Sequence, residues 1–269
     1  MPNLSCSLII TTYNWPEALR KCLQSVVWQT RRPDEIIIAD DGSNDKTREM
    51  ITALQENYPI PLKHLWHEDK KKRKTRINNK AIIASSAEYL IFIDHDIILH
   101  PQFIQDHLTI SEKGYFINGS RFLADEASTN RLLEKENITK NDLKLLKGKN
   151  ALNKIRIPFL MNFLAHRYQT KDKDNFDVRG CNMSFWKKDL ILVNGYDEAY
   201  QGWGREDSNI AARLFNNGIR KKSLKFGGIA FHLEHPYSNK TDDDIYMKML
   251  TETINNKEKW TKNGLDQHY

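Results

Sequence analysis

Short apolar runs that end in polar clusters alternate with amphipathic stretches along the first half of the chain. Cys6–Thr12 is apolar at Leu8, Ile9 and Ile10 and closes on Thr11-Thr12-Tyr13-Asn14. Runs of this length, bounded by turn residues, predict strands buried on both faces of a sheet. Leu19, Leu23, Val26 and Val27 then recur at helical spacing, with Asn14 placed to cap the helix and Pro16 in its first turn. Glu35–Ala39 predicts a second strand and runs into Asp40-Asp41-Gly42-Ser43. Asp45–Asn57 sets Met50, Ile51 and Leu54 on one helical face, and Pro59 stops it. Leu62–Trp66 predicts a third strand, and a helix over Thr75–Ala87 follows the basic run Lys70–Lys74. Tyr89–Asp94 is the fourth strand, ending in Asp94-His95-Asp96. This alternation predicts the α/β class, with a mostly parallel central sheet and helices on both faces.

The second half is less regular. Phe103–Ile110 predicts a helix and Tyr115–Gly119 a strand. From about Asp125 to Lys154, leucines lie scattered among many Lys and Asn, which reads as a helical, basic insertion; Ile155–Arg167 is more apolar. Asp177–Trp186 returns to the sheet, and Tyr196–Arg205 is a loop rich in Gly and aromatic residues. Asp207–Asn217 predicts a helix closed by Gly218, Phe226–His232 a strand, and Asp243–Trp260 a final polar helix. The expectation is one domain built from residues 1–121, an insertion over 122–175, and a C-terminal half over 176–269.

Composition narrows the partners. With 269 residues and 39% hydrophobic content the chain can bury a sizeable core. A net charge of +6 favours anionic partners. Three scattered cysteines, Cys6, Cys22 and Cys181, support neither a disulfide framework nor a zinc site. No signal peptide opens the chain, and no apolar run approaches the roughly 18 residues of a membrane span. The expected location is the cytoplasm, with peripheral contact to an anionic membrane face. Lys-rich stretches beside Phe159, Leu160, Met161, Phe163 and Leu164 motivate that contact; a core-packed helix with a solvated Lys face is the competing reading.

Three groups carry candidate chemistry. Asp94 and Asp96 lie two apart at the carboxyl end of a buried strand, on the side that opens onto the ligand crevice of α/β sheets. Hard oxygen donors there suit Mn²⁺ or Mg²⁺, and through the ion a phosphate. His232 and His235 offer imidazoles to such an ion; on an extended chain only one can reach it without a bend, and His235, past the strand end, is favoured. Glu206 and Asp207 follow Gly202-Trp203-Gly204-Arg205 at a helix start. The helix terminus lowers a carboxylate's pKa, whereas burial or a neighbouring carboxylate raises it toward a useful general base. His95, the middle of its triplet, points away from the ion and packs.

These residues resemble a GT-A-type glycosyltransferase of family 2. The N-terminal half carries the likeness in Leu8-Ile9-Ile10-Thr11-Thr12-Tyr13-Asn14, in Asp40-Asp41-Gly42-Ser43, and in Asp94-His95-Asp96 as an Asp-x-Asp motif. The stretch from Arg179-Gly180-Cys181-Asn182-Met183 through Gly202–Asp207 to His232–His235 resembles the C-terminal region shared by β-1,4-galactosyltransferases and chondroitin-polymerase-like enzymes. The resemblance implies that Thr11, Tyr13 and Asp41 line a uracil and ribose pocket. Arg73 or Arg76, ahead of Asn79, would contact the base or diphosphate. Asp94 would lie near ribose and metal, and Asp96 would ligate the metal, completed by His235 or His232. Trp203 and Gly204 would contact the sugars, Glu206 would bind acceptor hydroxyls, and Asp207 would be the catalytic base. It further implies an inverting transfer from a UDP-sugar, of galactose or N-acetylgalactosamine type, to a glycan acceptor that can be lipid-linked. Ser208 stands where some relatives carry a third acidic residue.

Two rival readings are weaker. A sugar-phosphate nucleotidyltransferase needs a Gly-rich phosphate loop after the first strand, and Thr11-Thr12-Tyr13-Asn14 has none. A basic nucleic-acid-binding protein would not place carboxylates at strand ends, where they repel a phosphate backbone. No nucleic-acid partner is therefore expected. Nothing in the pattern fixes the oligomeric state.

Overall fold

The computed structural model describes residues 4–167, 169–170, 176, 178–202, 204–236 and 243–269. The predicted strands β1 (Cys6–Thr12), β2 (Glu35–Asp40), β3 (Leu62–Trp66) and β4 (Tyr89–Asp94) lie parallel in the order β3-β2-β1-β4. Helices α1 (Pro16–Val27), α2 (Asp45–Gln55) and α3 (Lys74–Ala84) make the crossovers. Strand β5 (Ile97–Leu99), helix α4 (Phe103–Ile110), and strands β6 (Tyr115–Gly119) and β7 (Arg121–Ala124) follow. The insertion holds α5 (Glu126–Glu134), α6 (Lys140–Lys144), β8 (Gly148–Lys149) and α7 (Pro158–Arg167). The chain continues through β9 (Gln169–Thr170), β10 (Met183–Trp186), α8 (Lys187–Leu192), α9 (Glu206–Asn216), β11 (Arg220–Leu224), β12 (Ala230–His232) and α10 (Asp243–Asn255).

Among the described residues, the main sheet has eight strands in the order β3-β2-β1-β4-β10-β6-β11-β9. Strand β10 runs antiparallel to both β4 and β6, so β6 and β11 again point the way β1 does. The two-residue period of the strands sorts their side chains between two cores. Leu8, Ile10, Ile36, Ile38, Ile91 and Ile93 face α1 and α2. Ile9, Ile37, Leu90 and Phe92 face α3 and α9. Leu8, Ile9 and Ile10 are wholly buried, each worth about 1.5–3 kcal/mol relative to exposure. That double burial is why the apolar runs are continuous rather than alternating.

A second, four-stranded sheet, β5-β12-β7-β8, packs a third core. Its strands are three or four residues or shorter, too brief to leave a period in the sequence. Leu132, Leu143 and Leu146 of the insertion are buried in that core, so its first half follows the core-packed reading.

Several boundaries shift for physical reasons. Asn14 does not cap α1; Trp15 stands at the N-cap position and makes no capping bond. Asn14 instead takes a left-handed φ of 47°, which asparagine tolerates, and ties two loops together. Its Oδ1 accepts from Asn44 N–H at 2.9 Å, and its own N–H donates to Ser43 Oγ at 2.9 Å. The strand expected over Phe226–His232 shrinks to Ala230–His232, because Phe226 and Gly228 adopt φ of 56° and 54°. Gly180–Asn182 forms a 3₁₀ turn ahead of β10, and Asp177 lies outside the described residues.

Candidate active site

The carboxyl ends of β1, β2 and β4 meet at one edge of the sheet. Thr11 is in register with Asp94 across the ladder, and its Oγ1 donates to Asn78 on α3 at 3.0 Å. Asp41, just past β2, is buried. Its two oxygens accept from the backbone N–H of Arg73 at 3.1 and 3.0 Å, and Oδ1 meets His67 Nε2 at 2.7 Å. Asp41 thereby holds the loop entering α3 against the strand ends. Tyr13 is exposed and donates to Asp69 Oδ2 at 3.0 Å, a bond that pushes its phenol above the usual range. Gly42, at φ 93°, lies under Asp69: a Cβ there would stand 2.7 Å from the Asp69 Cα. The Arg73 guanidinium donates to the Glu68 carbonyl.

Helix α3 divides its polar residues by face. Lys74 and Asn78, four apart, point to the strand ends. Lys74 Nζ pairs with Asp94 Oδ1 at 2.7 Å. Burial works against that charge, but Asp94, Asp207 and Glu206 more than offset it and hold the ammonium well above the ordinary lysine range. Arg76 and Asn79 lie on other faces and are not brought to the strand ends. Arg76 faces Glu198 at 3.8 Å. Asn79 is fully buried, donates to the Tyr196 carbonyl and Glu198, and accepts from Tyr196 N–H, so its polar atoms are spent on the Tyr196–Glu198 loop.

Asp207 stands in the first turn of α9. Its Oδ2 accepts from Gly180 N–H at 2.8 Å, an approach open only because residue 180 has no side chain: a Cβ would lie 2.4 Å from that oxygen. Its Oδ1 is closed from solvent and has no partner among the described residues. Burial, then the Glu206 charge, push the Asp207 carboxyl up to about 7, and Lys74 pulls the other way. The helix terminus therefore loses to desolvation here. Glu206 is buried and accepts from Gly204 N–H at 3.0 Å. Gly204 has φ 118°, and Arg205, at φ 67°, is held by Asp243 through its Nε at 3.0 Å. Trp203 lies outside the described residues.

The third group closes around Asp96. Its Oδ2 lies 3.0 Å from His235 Nε2 and 3.2 Å from His232 Nε2. The ligand atoms of Asp96, His232 and His235 all fall within 4.8 Å of one another. On an extended chain only one histidine would reach the site without a bend; β12 ends at His232, and the irregular chain beyond it supplies the bend that brings both rings to one carboxylate. Leu233 N–H donates to the Asp96 carbonyl at 2.9 Å and fixes that turn. Asp94 is not part of the group; its carboxylate turns to Lys74. Burial opposes the charge on Asp96, but His235, His232 and His95 outweigh it and hold the carboxyl well below its usual range. His95 packs edge-on against Trp15 with centroids 5.9 Å apart, and its ring nitrogen Nδ1 faces the Thr11 carbonyl. Asp96 Oδ1 is buried with no partner among the described residues.

A carboxylate and two imidazoles with one carboxylate oxygen left over suit a divalent cation of the Mn²⁺ kind. Lys74 is the residue that sequence reasoning missed. In Lys70–Lys74 it reads as one more solvated cation, and the only signal for it was its position four before Asn78.

The glycosyl transferase family 2 model matches residues 7–190, and the model described as N-terminal domain of galactosyltransferase matches residues 165–236. The chain is 24% identical to chondroitin synthase of Escherichia coli, over 91% of this chain and 37% of that protein. It is 25% identical to validoxylamine A glucosyltransferase of Streptomyces hygroscopicus subsp. limoneus, over 91% of this chain and 54% of that one. It thus spans about half or less of the length of these curated relatives. Among solved structures, GalNAc-T7 with UDP, GalNAc and Mn²⁺ superposes with a TM-score of 0.67 at 14% identity, over 94% of this chain and 48% of that one. S. aureus TarS 1-349 with UDP gives 0.63 at 13%, over 94% and 65%. The fold is that of GT-A glycosyltransferases, and the chain belongs to glycosyl transferase family 2.

Proposed function

We propose that this glycosyltransferase is metal-dependent and inverting. It moves a sugar of galactose or N-acetylgalactosamine type from a UDP-sugar to a hydroxyl of a glycan acceptor, in bacterial cell-surface polysaccharide or lipopolysaccharide synthesis. The observation that carries the reading is the presence of two unlike acidic centres beside the Lys74–Asp94 pair: Asp207, with its carboxyl pushed up to about 7, and Asp96, kept ionised against two histidines. Environments that drive two carboxyls apart assign one to proton transfer and the other to charge binding. The relatives support the donor class: one is a chondroitin synthase, and a fold neighbour holds UDP, GalNAc and Mn²⁺.

In this reading Asp41, Thr11 and Tyr13 line the nucleoside end of the cleft, and the Arg73 loop that Asp41 holds covers it. Asp96, His232 and His235 would hold Mn²⁺ or Mg²⁺, and the two imidazoles favour Mn²⁺. A cation bound there supplies positive charge beside the diphosphate oxygens. Lys74, tied to Asp94, adds a second positive charge between that group and Asp207. Glu206 and Gly204 bind acceptor hydroxyls. Asp207 takes the proton of the attacking hydroxyl through an oxygen its Gly180 bond keeps aimed. The new bond forms at the anomeric carbon as its bond to the diphosphate breaks, and UDP leaves from the opposite face.

A panel of UDP-sugars, with and without Mn²⁺, tests this by release of UDP. The expected result is turnover of one or two donors that stops on chelation. Turnover unaffected by chelation, or none with any UDP-sugar and full turnover with another nucleotide, would sink it.

A further inference from the structure

The charge of the protein is concentrated in one place. Between residues 140 and 167 the chain carries seven Lys or Arg and a single acidic residue, Asp142, a net of +6 that equals the net charge of the whole protein. Lys140, Lys144, Lys147 and Lys149 are all exposed. The same stretch presents large apolar side chains to solvent: Leu145 is 61% exposed, Leu152 71%, Phe159 77% and Phe163 50%. Phe159 and Phe163, one helical turn apart on α7, stack with ring centroids 6.5 Å apart and planes 12° from parallel. The opposite face of α7 is anchored through buried Met161 and Ala165.

These side chains are held out by a firm base. Arg156 clasps buried Asp106 through Nε and NH2, with contacts of 3.0 and 2.6 Å. Ile157 N–H donates to the Phe226 carbonyl at 2.9 Å, and Asn153 Nδ2 to the Arg121 carbonyl at 2.8 Å. Lys149 itself sits on β8, in register with Leu123, which is in register with His232. The basic segment is thus the edge of the sheet that carries the histidines, about 10 Å from His232 by the spacing of two strands.

We propose that the segment Lys140–Arg167 docks this protein on the surface of an anionic lipid bilayer, its lysines at the head groups and Leu145, Leu152, Phe159 and Phe163 in the interfacial layer. Exposed lysines alternating along one segment with exposed aromatic and aliphatic side chains match that boundary, where charge and apolar area are satisfied together. A nucleic acid or an acidic glycan would satisfy the lysines and leave the apolar side chains in water. A second copy of the chain would bring the exposed lysines Lys140, Lys144, Lys147 and Lys149 against their own like charges. Docked this way, the sheet edge next to the histidines faces the membrane, so a lipid-linked acceptor would enter from that side. The docking itself does not depend on which reaction the site performs.

Co-sedimentation with phosphatidylcholine vesicles, with and without about 30% phosphatidylglycerol, tests the proposal. The protein is expected to bind the anionic vesicles only, at least about tenfold more weakly when salt rises from about 0.1 to about 0.5 M. K144E/K147E/K149E is expected to abolish binding, and F159S/F163S to weaken it about tenfold while keeping thermal unfolding and UDP-sugar turnover unchanged. Equal binding to neutral vesicles, no binding to either, or a triple variant that binds as well as the parent would overturn it. So would a fall in sedimentation mass in F159S/F163S, which would assign the patch to a second copy. Retention by RNA or an acidic glycan that depends on the lysines, without vesicle binding, would overturn it equally.

Discussion

Asp207→Asn should do two opposite things at once. Asparagine keeps an oxygen for the Gly180 N–H but cannot take a proton from an acceptor hydroxyl. Loss of a general base costs about 10²–10⁴ in turnover. The same substitution should stabilise the fold at neutral pH. In the folded protein the carboxyl is raised from its ordinary 3.8 to about 7, by burial first and Glu206 second. The unfolded chain has lost its proton by pH 5, whereas the folded protein still holds it. Stability therefore falls as pH rises through that window and stays low above about 7. At 1.36 kcal/mol per pH unit the full displacement is worth on the order of 4 kcal/mol. The neutral amide carries no such cost, so urea unfolding at pH 8 should show the variant more stable by about 1–4 kcal/mol, with the difference gone near pH 4. UDP-sugar affinity, read by titration, should be little changed. In the parent protein, kcat/KM should fall about tenfold per unit below pH about 7, where Asp207 is protonated and cannot act as base. A variant that is destabilised equally at both pH values, or that turns over at the parent rate, would refute the reasoning.

Lys74→Met removes the cation that pulls Asp207 down, so the acid limb of the pH–rate profile should move to higher pH and turnover at pH 7 should fall; an unmoved limb would separate Lys74 from Asp207. Asp96→Ala or His235→Ala should weaken Mn²⁺ binding by about 10–100-fold in calorimetric titration, with an equal loss expected for His232→Ala; undiminished Mn²⁺ affinity in all of them would place the ion elsewhere. Arg156→Ala strands the buried Asp106 carboxylate, and urea unfolding should show a loss of about 3–5 kcal/mol, whereas a loss below about 1 kcal/mol would mean that the pair does not anchor the insertion.

The parallel frame was legible because β1, β2 and β4 are buried on both faces and so keep unbroken apolar runs of strand length. Helix α9 was legible from Ile210, Ala211 and Leu214 at helical spacing and from Gly218, which takes φ 81° just past its end. The strand ends were legible as a polar edge, since Thr11, Asp41 and Asp94 each follow an apolar run. Side-chain destinations were not. The two-residue spacing put Asp94 and Asp96 on one side of an extended chain, but β4 ends at Asp94 and His95-Asp96 form a turn, so one carboxylate goes to Lys74 and the other to the histidines. Arg76 and Asn79 sit in the stretch that suggested a nucleotide contact, but the 3.6-residue period turns them away and presents Lys74 and Asn78 instead. Gly180 gave no sign of Asp207, because the meaning of a missing Cβ depends on what comes to fill the space. The second sheet was hidden by the brevity of its strands.

The meeting of Asp96 with His232 and His235 has a consequence for how the chain can be divided. Asp96 leaves the turn after β4, in the first half of the sequence; the histidines arrive only after β12, near the end. The Leu233–Asp96 backbone bond and the two ring contacts therefore stitch the last strand of the second sheet to the strand-end edge of the first. A chain that ended between β11 and Ala230 would keep Thr11, Asp41 and the Arg73 loop, proposed above to line the nucleoside end, and would lose both imidazoles. The three residues of the candidate ion site thus come together only once β12 has joined the second sheet.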